Sequence, residues 1–468
     1  MTGPVLVSGS ARRNARYTPL DVDGPLPLDM IRGISAMLRN PLDWLEQVVR
    51  THGDLVALPL PRTPVLLVNT PSGARRVLQE NHPNYTKQTV QYGALSLVTG
   101  AGLLTADGEP WRRHRRIMQP AFHHGGLDQV AAATLTAAEG LARVWDEVPA
   151  GTPVDVDAAT MRAMLEVVGR TLFADDLADQ GERVVTAVED ALHVVLARAR
   201  SPFANGPLAR LPSPSRRRLR RSVATLDEVC AEVVDRRRRQ GVGIEDDDLL
   251  AVLLRASGEL SDREIRDELV TLVIAGHETV ASSLTWTLHL LAGAAPVRAQ
   301  LHAELDQVLA GGRAPRWADL RALTYTRAVV EESLRLFPPA WVITRRALAE
   351  DQIDGVTVPP GTLLLISPWL LHRREQTWPD PLRFDPTRFL GPESSRRREG
   401  YLPFGAGPRL CIGRDFALVE ATLLLAALLR DRTVAHPPGA AAPKVDALVT
   451  LRPRGGLPLL LAPRPARS

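Results

Sequence analysis

The 468-residue sequence predicts a mainly α protein with a minor β part, folded as a single domain over residues 1–468. Three observations lead there. Helical periodicity dominates from about residue 110 to 340. One stretch, "SDREIRDELVTLVIAGHETVASSLTWTLHLLAG", reads as one uninterrupted helix. Runs of β type are short and flank that helical region, with no internal repeat or low-complexity linker between them.

Taken in order, the chain opens with a Pro-rich N-terminal segment to about Leu28. "NPLDWLEQVVRTHG" then predicts a helix with Pro41 in its first turn and Gly53 past its end. "LVALPL" and "PVLLVNT", separated by "PRT", predict a hairpin. The long central helix, about residues 261–293, starts at a capping box of Ser261 and Glu264 and stops at Gly293, with Pro296 beyond. At the standard rise it is roughly 48 Å long, enough to cross the whole protein. "EDQIDGVTVPPGTLLLIS" and "ALVTLRPRGGLPLLLAP" predict late strands with Gly and Pro turns. Between them, about residues 401–431 read as a cysteine-bearing glycine loop and the helix "RDFALVEATLLLAALLRD".

Composition narrows the function classes. Cys230 and Cys411 are the only cysteines, so a secreted disulfide framework is excluded and a reduced compartment expected. No apolar run approaches the roughly 20 residues of a membrane span, and "MTGPVLVSGSARRNARY" lacks a secretory pattern, which predicts a cytoplasmic protein with no membrane anchor. Only Lys87 and Lys444 among the 57 basic residues are lysine. The clusters "SRRRLRR" and "RRRR" flank "LDEVCAEVVD" without interleaved aromatics, and so read as solvated helix faces, with no nucleic-acid partner.

Cys411 sits among Gly405, Gly407 and Gly413, directly ahead of an apolar helix. A thiolate is a strong axial ligand to haem iron; glycines permit the tight loop that presents it, and backbone N–H groups and a helix N-terminus temper its charge. Phe404 can cover one side. A buried free cysteine is the plainer alternative. Phe404, Gly407, Arg409, Cys411 and Gly413 spell F-x-x-G-x-R-x-C-x-G, which resembles the haem-binding signature of the cytochrome P450 family.

Three further motifs follow in that family's order. "GEPWRRHRRIMQPAF" places Trp111 and Arg115 on one side of a helix and is similar to the W-x-x-x-R helix, whose indole and guanidinium suit a haem propionate. The resemblance makes Arg409 and Arg345 the other propionate partners, with Arg346 competing with Arg345. "AGHET", Ala275 to Thr279, lacks the second histidine of a zinc protease because Ala281 stands there; it resembles the A-G-x-E-T oxygen-activation motif. That implies a helix distorted at Gly276, with Glu278 and Thr279 as acid and relay for protons, although Val280 replaces a frequent second hydroxyl. "EESLRLFPP" and "DPLRFDPTRF" resemble the family's buried ion-pair triad, here Glu332, Arg335 and Arg388.

The resemblance implies a cytochrome P450 fold, a triangular domain holding haem b between the long helix and the Cys411 loop. It implies a monooxygenase that inserts one atom of O2. "GLLTADGEPWRRHRRIMQPAF" looks more like the fatty-acid and terpene-oxidising branches than the small-substrate bacterial ones. The expected pocket comprises Leu95, Leu97 and Val98 from a loop, the Ala275 region, and Ala340, Val342 and Ile343, which suits an apolar terpenoid, fatty acyl or polyketide-like substrate of secondary metabolism. Electrons from NAD(P)H must arrive through separate partners, because no flavin, nicotinamide or iron–sulfur fingerprint is present: a ferredoxin with its reductase, or a flavodoxin, docked on the arginine-rich face near the cysteine loop. A peroxide-driven peroxygenase and a non-catalytic haem sensor or ligand carrier are the alternatives, the first disfavoured by Glu278 and Thr279.

Overall fold

In the computed structural model, which describes residues 20–60, 63–122, 124–173, 181–199, 213–243, 248–392 and 399–464, the long helix runs from Asp262 to Gly293. Ser261 and Glu264 form both bonds of the expected capping box. Beyond its first turn the helix is buried on nearly every side, packed by the Val156–Phe173 helix and the Arg414–Leu429 helix. Leu284, Leu288, Leu423 and Leu424 are fully excluded from water between them, each contributing about 1.5–3 kcal/mol. This core fixes the long helix relative to the helix that follows Cys411.

The helix runs unbroken through Gly276. Proximity accounts for the glycine: a Cβ there would sit 3.0 Å from Val168 Cγ2 on the neighbouring helix.

The short strands form a five-stranded sheet in the order Leu55–Leu60, Thr63–Val68, Leu363–Ile366, Ile343–Ala347, Tyr85–Thr86. The first two are the expected antiparallel pair, with residues 61–62 outside the described ones. Thr63–Val68 then pairs in parallel with Leu363–Ile366, Val65 facing Leu363, so the sheet joins distant parts of the chain. Of the late strands expected after residue 350, Leu363–Ile366 joins this sheet and the others form smaller ladders. Residues 1–19 of the Pro-rich opening lie outside the described residues; its last residues enter a helix, Pro27–Arg39, that the sequence reading did not anticipate.

A second departure bears on the site. Val90–Thr99, expected as a loop, is a helix whose first turn is capped by Thr89. Its buried side, Ala94, Leu95 and Val98, packs on the Gly181–Ala199 helix, and Leu97 is left 41% exposed.

Candidate active site

Cys411 follows the turn Gly407–Arg409 and precedes the Arg414–Leu429 helix. Gly405 and Gly407 have φ of 71° and 68°, the left-handed region that favours glycine, and a Cβ on Gly407 would lie 2.0 Å from the Leu78 carbonyl oxygen. Gly413 does not need that freedom: its φ is −88°, so the expected turn role is corrected there, and its backbone N–H instead bonds the Cys411 sulfur. The Cys411 N–H donates to the Phe404 carbonyl at 2.9 Å, closing the loop.

Cys411 is deep in the molecule yet accessible from a cavity of about 340 Å³. Burial raises the thiol pKa, while the Gly413 N–H and the Arg115 and Arg414 guanidinium groups lower it. A bound metal ion reverses that balance and takes the thiolate.

Cations crowd another part of the wall. Arg115, Arg345, Arg409 and Lys87 all line the cavity. Arg115 donates to the Leu410 carbonyl at 2.9 Å, and the Arg409 guanidinium lies 3.8 Å from the Trp111 ring centroid while pairing with Asp107. Arg345 is buried and reaches the Tyr92 hydroxyl; Arg346 bonds the Gln88 and Gly361 carbonyls and does not line the cavity, so strand alternation separates the two arginines. Burial pushes Arg409 down to about 10, and burial followed by repulsion from Arg345 and Arg409 holds Lys87 well below the usual lysine range. Four basic side chains at one wall, Lys87 and Arg345 buried and Arg115 and Arg409 half-buried, face only one paired carboxylate among the described residues, Asp107, and a ligand with two carboxylates beside a metal facing Cys411 supplies the missing anions. The residues present therefore fit a haem.

Opposite stands the long helix. Ala275, Gly276 and Thr279 line the cavity, and the Thr279 hydroxyl donates to the Ala275 carbonyl at 2.6 Å. Glu278 does not line it. Its buried carboxylate faces the other side of the helix and accepts from the Thr450 hydroxyl at 2.8 Å, and burial raises its pKa.

Ala340 and Ile343 contribute to the cavity wall as expected, but Leu95, Leu97, Val98 and Val342 do not. Helix formation over Val90–Thr99 turned the first three into core or solvent, and the two-residue period of the strand sets Val342 on the opposite face from Ile343 and Arg345. Leu103, Leu104, Val168 and Leu272 take their place. Lys87 and Tyr92 also line the wall and were missed, because tertiary packing brings them there and no local sequence pattern signals it.

The triad residues meet behind this site. Arg335 donates to both Glu332 oxygens at 2.7 and 2.8 Å, and Arg388 Nε lies 3.4 Å from Glu332 Oε1. All three are buried.

Fold and site together define a haem-thiolate oxygenase. The family profile "Cytochrome P450" matches residues 26–459, and the chain belongs to that family; it is a cytochrome P450 monooxygenase, an enzyme class that uses haem and O2. It is 39% identical to cyclooctatin synthase of Streptomyces melanosporofaciens over 84% of this chain and 85% of that one. It is 35% identical to cyclooctat-9-en-7-ol 5-monooxygenase of the same organism (93% and 94%), and 34% identical to pentalenene oxygenase of Streptomyces avermitilis (89% and 92%). The crystal structure of the cytochrome P450DA heme domain superposes with a TM-score of 0.83 at 26% identity, covering 96% of this chain and 98% of that one. Among the described residues no single helix is long and apolar enough to cross a membrane.

Proposed function

We propose that the protein oxygenates an apolar terpenoid in secondary metabolism, as a cytoplasmic enzyme that draws electrons from NAD(P)H through a ferredoxin and its reductase, or a flavodoxin. The observation that carries this reading is one cavity bounded by an accessible cysteine, four buried or half-buried basic side chains and otherwise mostly apolar ones. The named terpenoid relatives support the substrate class.

Haem b bound here supplies O2 activation, one oxygen atom entering the substrate and the other leaving as water. Cys411 would hold the haem iron through its thiolate, steadied by the Gly413 N–H and the start of the Arg414–Leu429 helix. Trp111, Arg115, Arg345, Arg409 and Lys87 would hold the propionates, and Phe404 would cover the sulfur side. Leu103, Leu104, Val168, Ala340 and Ile343 exclude water and orient the substrate. The Thr279 hydroxyl passes protons at the cavity wall, and Glu278 feeds it by a rotation of its side chain across the helix.

Glu332, Arg335 and Arg388 are structural, fastening the Thr324–Leu336 helix to the segment ahead of the cysteine loop. Arg112 and Arg116, both largely exposed beside the Trp111 depression, offer an acidic electron donor its docking face.

The test is the carbon-monoxide difference spectrum of the dithionite-reduced protein beside Cys411→Ala. A strongly red-shifted Soret band in the parent, abolished by the substitution, is expected; a band that the substitution leaves unchanged overturns the ligand assignment.

A further inference from the structure

Behind the long helix lies a second cavity of about 30 Å³, whose wall shares no residue with the Cys411 cavity. That volume suits one water molecule. Val188, Glu189, His193, His277, Glu278 and Arg452 line it.

Two buried atoms of these side chains have no protein partner: His277 Nε2 and Glu278 Oε2. The His277 tautomer follows from its other nitrogen, which lies 2.8 Å from the Val273 carbonyl, a contact that only an N–H can satisfy. Nε2 is therefore an acceptor. The free Glu278 oxygen is an acceptor when ionised and an O–H donor when protonated, and Thr450 serves its twin. A water with two hydrogens satisfies both; no apolar filler does. The other charged groups packed around the cavity are Asp157, Glu189, exposed His193 and Arg452, which bonds Asp157 at 2.8 Å and Glu189 at 3.4 Å. Three carboxylates thus share one arginine, and two ionisable groups connect the cavity to solvent.

We infer that this cavity holds a water bridging His277 and Glu278, and that it is the port through which Glu278 regains protons from solvent by way of Glu189 and His193. His277 is a positioning residue that fixes the water. Each proton that Glu278 releases toward Thr279 is replaced by one entering from solvent, so the carboxyl is restored after every transfer. The inference rests on the reading of Glu278 and Thr279 as the proton path.

The test uses NADPH-driven O2 reduction by the holoenzyme with a surrogate ferredoxin and reductase, which needs no identified substrate, run in H2O and in D2O. Val188→Ile fills the cavity without touching a polar group, and His277→Leu removes the acceptor. Both are expected to leave the carbon-monoxide Soret band intact and to raise the solvent isotope effect on NADPH consumption by about twofold or more. Thr279→Ala, which breaks the path at the cavity wall, is expected to raise the peroxide released per NADPH. If Thr279→Ala acts and neither cavity variant does, the port is overturned while the proton-path reading stands; if Thr279→Ala is also silent, that reading falls first. A crystal structure of the holoprotein provides an independent check: an ordered water within about 3.2 Å of both atoms is expected, and a dry cavity overturns the proposal.

Discussion

Glu332 is a charge that the fold has removed from water entirely, and it persists only because Arg335, Arg388 and the Asp385 N–H all reach it. Glu332→Gln strands the Arg335 guanidinium and is expected to cost about 3–5 kcal/mol, read as a lower urea midpoint together with earlier haem loss. Asp351 makes a pH-dependent contribution. Burial opposes its ionisation, but hydrogen bonds from Arg76, Tyr85 and Asn81 prevail and bring its pKa down to about 2. A carboxyl depressed in the folded state stabilises above its unfolded value, about 3.9, and loses that contribution as pH falls toward 2. Asp351→Asn should therefore flatten the acid limb between about pH 4 and 2 by about 2 kcal/mol, measured by urea unfolding across that window.

At the scale of elements, legibility followed the range of the signal. The long helix announced itself because its capping box, its length and its glycine stop are all local. The Cys411 loop was readable because five residues at fixed spacing lie within one turn-and-helix unit. Val90–Thr99 was not, since its apolar run fits loop, strand or helix until the Gly181–Ala199 helix arrives to cover it. Lys87 and Tyr92 were invisible for the same reason, being brought to the cavity by tertiary packing alone.

The segment after that helix rests directly on the long one: Leu103 N–H bonds Glu268, which also holds His114, and Ala101 N–H bonds Asp267. A Cβ on Gly102 would lie 2.1 Å from Thr271 Oγ1 and 2.7 Å from the Asp267 carbonyl oxygen. Gly102→Ala is expected to lift Leu103 and Leu104 from the cavity wall and to cost about 1–3 kcal/mol, seen as a lower melting temperature and weaker Soret shifts with apolar ligands.

Over the whole molecule the net charge is only +4, so attraction of an acidic donor depends on where the arginines lie, not on their total. Stopped-flow reduction by a surrogate acidic ferredoxin should slow several-fold between about 0.05 and 0.5 M salt, and Arg116→Glu should reduce both the low-salt rate and its salt dependence; a flat salt profile would place the donor elsewhere. The parallel pairing of Val65–Val68 with Leu363–Ile366 has a further consequence, in time. At a synthesis rate of about 5–20 residues per second, the first of these strands waits roughly 15–60 s on the ribosome for its partner. Trp111 and Arg115 emerge early, Arg345, Arg409 and Cys411 near the end, so the nascent chain cannot capture its cofactor until almost all of it has been translated.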